Sequence, residues 1–168
     1  MLKIKFILIF VALFSLAVYL NSANKNSLIK NELDEATKTL QTHFDITGSY
    51  NNRDAKSINL FMSQNKRLHE ILTSALDANE IEKNTLRNEL YSLLEPQYKA
   101  MRKRGILQFQ FVSPDTVSFL RMHKPSKYGD YLGDIRHSLL NTNKTKQPSS
   151  GFEQGRTAHA FRNVFPLI

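Results

Sequence analysis

The chain has 168 residues, 41% of them hydrophobic and 23% charged, a composition that excludes a wholly disordered polymer. Lys and Arg number 23 against 15 Asp and Glu, a net charge of +8, but the cations are scattered. Their run at Arg102-Lys103-Arg104 carries no interleaved aromatics, which argues against nucleic acid as a partner, and the lack of cysteine excludes disulfides, thiolate metal sites and cysteine nucleophiles.

The chain opens with MLKIK (1–5) and continues as FILIFVALFSLAVYL (6–20), in which Ser15 is the polar residue. A spanning helix wants about 20 apolar residues, and Ile4 with a snorkelling Lys5 lengthens this run towards that. A cleaved signal peptide is the rival reading; its processing site would be Asn21-Ser22-Ala23, and Asn is a poor small residue there. An uncleaved anchor over 6–22 is therefore expected, with 1–5 cytoplasmic. Lys3 and Lys5 orient it so that the chain beyond the anchor lies outside the cytoplasm.

Residues 23–104 read as a helical stalk and further helices. Ile29, Leu33, Ala36, Leu40 and Phe44 form one helical stripe, which Thr47-Gly48-Ser49 is expected to end. A second helix is expected over 53–78, burying Phe61, Leu68, Leu72 and Ala75, with Asn65 interrupting the stripe. A third is expected over 80–104, capped by Asn79 and burying Leu86, Leu90, Leu93, Leu94, Tyr98 and Met101. Glu80 and Glu82 suit its positive end, Pro96 should kink or restart it, and Gly105 should stop it.

Over 105–168 the period changes. Leu107, Phe109 and Phe111 alternate with Gln108 and Gln110, as in a half-buried strand. Pro114-Asp115 centres a hairpin turn, and the run through Phe119 and Leu120 returns as the second strand. Residues 125–134 read as a loop or short helix, 135–142 as helix or strand, and 144–150 as a loop. Strands are expected over 152–156 and 158–167, with Gly155 a candidate bulge. The class is α+β: a transmembrane helix, a long juxtamembrane helix, more helices, then an antiparallel sheet.

FQFVSPDTVSFLRMHKPSKYGD, followed by GFEQGR at 151–156 and FRNVFPL at 161–167, resembles the double Cache family, specifically the type found outside the membrane in bacterial diguanylate cyclases, histidine kinases and chemoreceptors. The layout matches over 25–168 and the motifs over 105–167. The resemblance implies a juxtamembrane helix carrying a PAS-like sheet that cups a small ligand. It also implies a second sheet module, a second spanning helix and an output domain, none of which this sequence contains, so the sheet is expected to be incomplete and the chain truncated. The resemblance thus implies a sensor of a small solute, set in the bacterial inner membrane with its domain in the periplasm and dimerising through the juxtamembrane helix, and the charge of Arg121, His123 and Arg136 or Arg156 makes an anionic or zwitterionic solute the expected ligand. The alternative is a truncated, non-signalling anchored protein that pairs with a larger receptor.

The candidate site lies where the strand run stops at Arg121, His123 and Lys124. Residues two apart share a strand face, so Arg121 and His123 project together; a guanidinium fork beside an imidazole suits a carboxylate or phosphate. Tyr128 and Asp130 come from the next loop, and Asp130 suits either a ligand ammonium or Arg121. Arg136, Glu153 and Arg156 are the other charged members of the motifs. These seven are the ligand-binding candidates, although an internal ion-pair network or a solvated strand end explains the same residues. His69-Glu70 starts an H-E-x-x-H pattern that fails at Thr73, so no metal is expected. With no nucleophile elbow, P-loop or dinucleotide fingerprint, neither an enzyme nor a cofactor is expected.

Overall fold

The computed structural model describes residues 2–155 and 159–167, with side chains from residue 4 onward. The elements in order are α1 (Leu2–Ser63), α2 (Lys66–Asp77), α3 (Glu80–Lys103), β1 (Gln110–Val112), β2 (Ser118–Arg121), a 3-10 turn (Gly133–Ile135), α4 (His137–Thr145), β3 (Ser149–Glu153) and β4 (Ala160–Val164). The class is α+β, as expected. The chain divides into two compact units, Met1–Thr47 and Gly48–Ile168.

The first unit is helical throughout its described residues, and every described side chain in it is exposed. The helix Ile4–Ser63 is long and apolar enough to cross a membrane: its apolar window has a mean hydropathy of 2.2, and none of that window is buried by protein. Phe, Ile, Leu and Val side chains in such number are stable when hydrocarbon, not water, surrounds them.

In the second unit α1 does not stop at Thr47-Gly48-Ser49. Gly48 is a place of close approach: a Cβ there would lie 3.0 Å from the Phe161 ring of β4. The glycine that suggests a terminus in the sequence thus serves packing inside a continuing helix. The helix ends at Ser63, and Asn65 is the reason. Its side chain accepts from the Leu68 N–H at 3.1 Å, capping α2. This break separates the phase of α1 from that of α2. Phe61, expected in the core, is 48% exposed, and Met62 is buried in its place.

Helix α3 carries a complete capping box. Asn79 Oδ1 accepts from the N–H groups of Ile81 and Glu82, while Glu82 reaches back to the Asn79 N–H. Pro96 lies within the helix without ending it. At the other end Ile106 N–H bonds to Met101 O and Gly105 N–H to Arg102 O. That is a Schellman closure, and its positive φ of 87° falls on the glycine. Leu68, Ile71 and Ala75 of α2 and Leu90, Leu94, Tyr98 and Met101 of α3 form one core with Met62, Phe111, Phe119, Leu120 and Met122.

The strands make two separate two-stranded antiparallel sheets, β1–β2 and β3–β4, not one continuous sheet. The second edge of β2 is already taken. Gly129 N–H donates to Ser118 O, Ser118 N–H to Asp130 O, and Leu132 N–H to Thr116 O, at 2.8–3.0 Å. The turn between β1 and β2 centres on Pro114-Asp115, as expected: Thr116 N–H bonds to Ser113 O. Thr116 itself is left-handed (φ 65°), a strained setting for a β-branched residue. Asn143 of α4 braces it by donating to Pro114 O and Thr116 Oγ1. Residues 135–142, ambiguous by sequence, fall mostly in α4, and β3 begins at Ser149, within the expected loop; Gly155 lies beyond its end.

Replacing Asn79 by Ala is expected to lower stability by about 1 kcal/mol, and Asn79→Asp to retain most of it. Denaturant unfolding of the two variants beside wild type measures the difference.

Candidate functional site

The site begins with a fault in the β1–β2 ladder. Phe111 pairs with Leu120 but Val112 pairs with Ser118, so the register shifts and Phe119 is left over. A bulged residue loses its ladder partner, and a carbonyl buried without one is costly. Phe119 is 8% exposed, and its carbonyl is met by Arg87 of α3, whose Nε–H donates to it at 3.0 Å. The guanidinium also donates from Nη1 to Asn84 Oδ1 at 2.5 Å. Two rings flank it, Phe119 at 5.3 Å and Tyr128 at 3.9 Å from its central carbon. Arg87 is thus a buried cation, 6% exposed, held by a carbonyl, an amide and two aromatic faces.

A cleft of about 370 Å³ opens over this guanidinium. One wall is the polar face of α3: Asn84, Arg87, Asn88 and Tyr91. The other is Leu120 of β2 with Pro125, Ser126 and Tyr128 of the adjoining loop. The volume suits a small solute, and the wall presents one cation, amides, hydroxyls and an aromatic face.

The loop wall is held in place by Arg121. Its guanidinium makes a two-pronged pair with Asp130, Nη1 to Oδ1 at 2.7 Å and Nη2 to Oδ2 at 2.8 Å, and Nη1 also donates to Lys127 O. The fork thus closes the 121–130 loop on itself, with Arg121 buried and Asp130 partly exposed. The hydrogen bonds from Arg121 hold the Asp130 carboxyl below the usual carboxylate range. His123 is exposed as a whole residue, yet its ring is desolvated enough to lie below the ordinary imidazole value, and Arg121 and Lys124 push it the same way.

The other candidates lie elsewhere. Glu153 of β3 accepts from Ser138 N–H at 3.1 Å and Ser138 Oγ at 3.2 Å. Helix α4 has no side-chain cap of its own, and this carboxylate occupies its positive end. Arg162 Nε of β4 sits 3.0 Å from Glu153 Oε2, an ion pair whose N–H is not aimed along the contact. Arg136 donates to the carbonyls of Ile135 and Gln154. Arg156 lies outside the described residues. Of the seven candidates, Tyr128 lines the cleft, Arg121 and Asp130 brace its loop, and Glu153 belongs to a shallower groove over α4, β3 and β4.

Arg87 is the residue that the reading of the sequence missed. A signal for it exists: Asn84, Arg87, Asn88 and Tyr91 recur at helical spacing, a polar stripe beside the apolar one. Taken alone, such a stripe reads as a solvated face.

A family model described as "Double sensory domain of two-component sensor kinase" matches residues 52–168. No curated protein and no solved structure matches the chain.

Asp130→Ala removes both prongs and leaves Arg121 buried without its anion. A loss of about 1.5–3 kcal/mol is expected at pH 7. Because the folded pKa of Asp130 is lowered, its contribution is complete above the unfolded value of about 3.9 and is lost as pH falls through the lower folded value. The gap between wild type and variant should therefore close below about pH 4, as read from denaturation midpoints across pH.

Proposed function

Since the chain belongs to the double Cache (dCache_3) family of sensory domains, we propose that it is the extracytoplasmic ligand-sensing module of a membrane signal-transduction protein. In this reading the apolar part of α1 anchors the chain in the bacterial inner membrane, and the unit from Gly48 onward lies in the periplasm. The output is of the diguanylate cyclase, histidine kinase or chemoreceptor type. The module binds; it does not catalyse.

The observation that carries the reading is Arg87, a buried guanidinium at the base of a cleft sized for a metabolite. Only part of its donor set is taken up by Phe119 O and Asn84 Oδ1. A solute carboxylate entering the cleft would meet directed N–H groups at low local dielectric, where a charge-assisted bond is strong. The amide oxygen of Asn88 would receive an ammonium group, so the ligand class is a small carboxylate or an amino-acid zwitterion. Arg121 and Asp130 act as the clamp that keeps the Tyr128 loop over the cleft.

The signal would arise from differential affinity. A ligand that bridges α3 and the loop favours whichever arrangement of these two walls it fits, and shifts that equilibrium by its difference in affinity and no more.

The test is thermal unfolding of the full chain in detergent against a panel of amino acids and short carboxylates. A true ligand at 100 times its dissociation constant should add about 2.7 kcal/mol of stability. Tyr128 packs over the Arg87 guanidinium, so Tyr128→Ala should lower the unliganded midpoint and abolish the further rise on adding ligand. An undiminished rise in that variant would place the ligand elsewhere.

A further inference from the structure

Arg87 has one more contact, and it is of a different kind from the rest. Its Nη2 lies 3.5 Å from Glu80 Oε2, at the limit of a hydrogen bond, whereas its other bonds are 2.5 and 3.0 Å. The Glu80 side chain is 73% exposed and that of Arg87 is 8% exposed. Glu80 stands in the first turn of α3 and shares its other oxygen with Lys83 at 3.6 Å. Seven residues separate Glu80 from Arg87, two helical turns, so the carboxylate must lean along the polar face of α3 to reach the guanidinium.

We propose that Glu80 is a built-in competitor: its carboxylate occupies the Nη2 donors of Arg87 when the cleft is empty and is displaced by the carboxylate of the incoming solute. This rests on the reading of the cleft as a ligand site and adds to it how that site sets its affinity. The physical case is the mismatch between the two partners. Arg87 is 6% exposed, so an acceptor at Nη2 is favourable even at a long distance. Glu80 is hydrated and loosely seated, so little is lost when it leaves. A ligand carboxylate able to approach at ~2.8 Å makes the better bond. Each binding event must first free Nη2, and the apparent affinity is reduced by the fraction of molecules in which Glu80 is in place. The device lowers the apparent affinity of every solute that uses Nη2 by the same factor and leaves a solute that does not use it unaffected.

The experiment is titration calorimetry of the full-length protein in detergent with acetate, succinate, glycine and L-glutamate as probes, comparing wild type, Glu80→Gln and Glu95→Gln. Glu95 is an α3 carboxylate paired with Lys99, and its replacement removes the same charge away from the cleft. Glu80→Gln should tighten the binding of whichever probe binds by roughly two- to fivefold, the size expected of an exposed ion pair, and Glu95→Gln should leave it unchanged. Binding by wild type with no gain in Glu80→Gln, or with an equal gain in Glu95→Gln, overturns the competitor and leaves the cleft in place. Absence of binding to all three proteins overturns the cleft and the competitor together.

Discussion

A buried guanidinium must find acceptors, and a buried carbonyl must find a donor; in this protein the two needs meet. The register shift in β2 strands the Phe119 carbonyl under the core, and Arg87 of α3 supplies the N–H. That bond adds a polar tie between α3 and the first sheet beside the apolar core that they share. It also fixes the orientation of the guanidinium, with Nε turned inward to the sheet, and the Tyr128 ring packs 3.9 Å from its central carbon. The cleft exists because the residue that repairs the bulge is long, planar and charged.

The same pattern recurs across the second unit. Arg121 and Asp130 close a loop that lacks regular structure, substituting one bidentate pair for a ladder. Glu153 provides α4 with the cap that its own flanking residue, Arg136, does not supply. Asn143 holds the strained Thr116 in a left-handed turn from the far side of the fold. For α4 and for the Thr116 turn, a backbone need that is usually met by a residue a few positions away is met by one much further along the chain. Motif residues such as Arg121, Asp130 and Glu153 thus make contacts within the fold, and in the reading proposed above the solute-facing role passes to α3.

That division of labour suits a sensory domain. The elements that frame the cleft, α3 and the 121–130 loop, are joined to the core on one side and by a few polar contacts on the other. Arg87 touches both, through Phe119 and Tyr128. In that reading a change in what Arg87 binds is felt by Phe119 of the core strand and by the loop. The chain belongs to the sensory family, and its α1 is long and apolar enough to cross a membrane.

The features legible from residue order alone are those that depend on neighbours in the chain. The apolar run of α1, the Asn79 cap and Glu82 partner of α3, the Gly105 closure and the Pro114-Asp115 turn are all local hydrogen-bond or hydropathy patterns, readable within a few residues. So was the family, because its motifs are spaced in order along 105–167. The remaining features took shape only when distant segments came together. Gly48 reads as a terminus until Phe161, over a hundred positions away, is seen to need the space. Asn65 restarts the helical phase, so that Met62 and not Phe61 enters the core. Arg121 is recognisable as a motif member, but its partner could be chosen only once the loop had folded back. The local mark of Arg87, a polar stripe on α3, reads as a solvated face, since its burial comes from a bulge thirty-two residues later. Capping and periodicity act between adjacent turns of backbone, whereas burial and ion pairing depend on which distant surfaces are pressed together, and no window on the sequence contains both sides of such a contact.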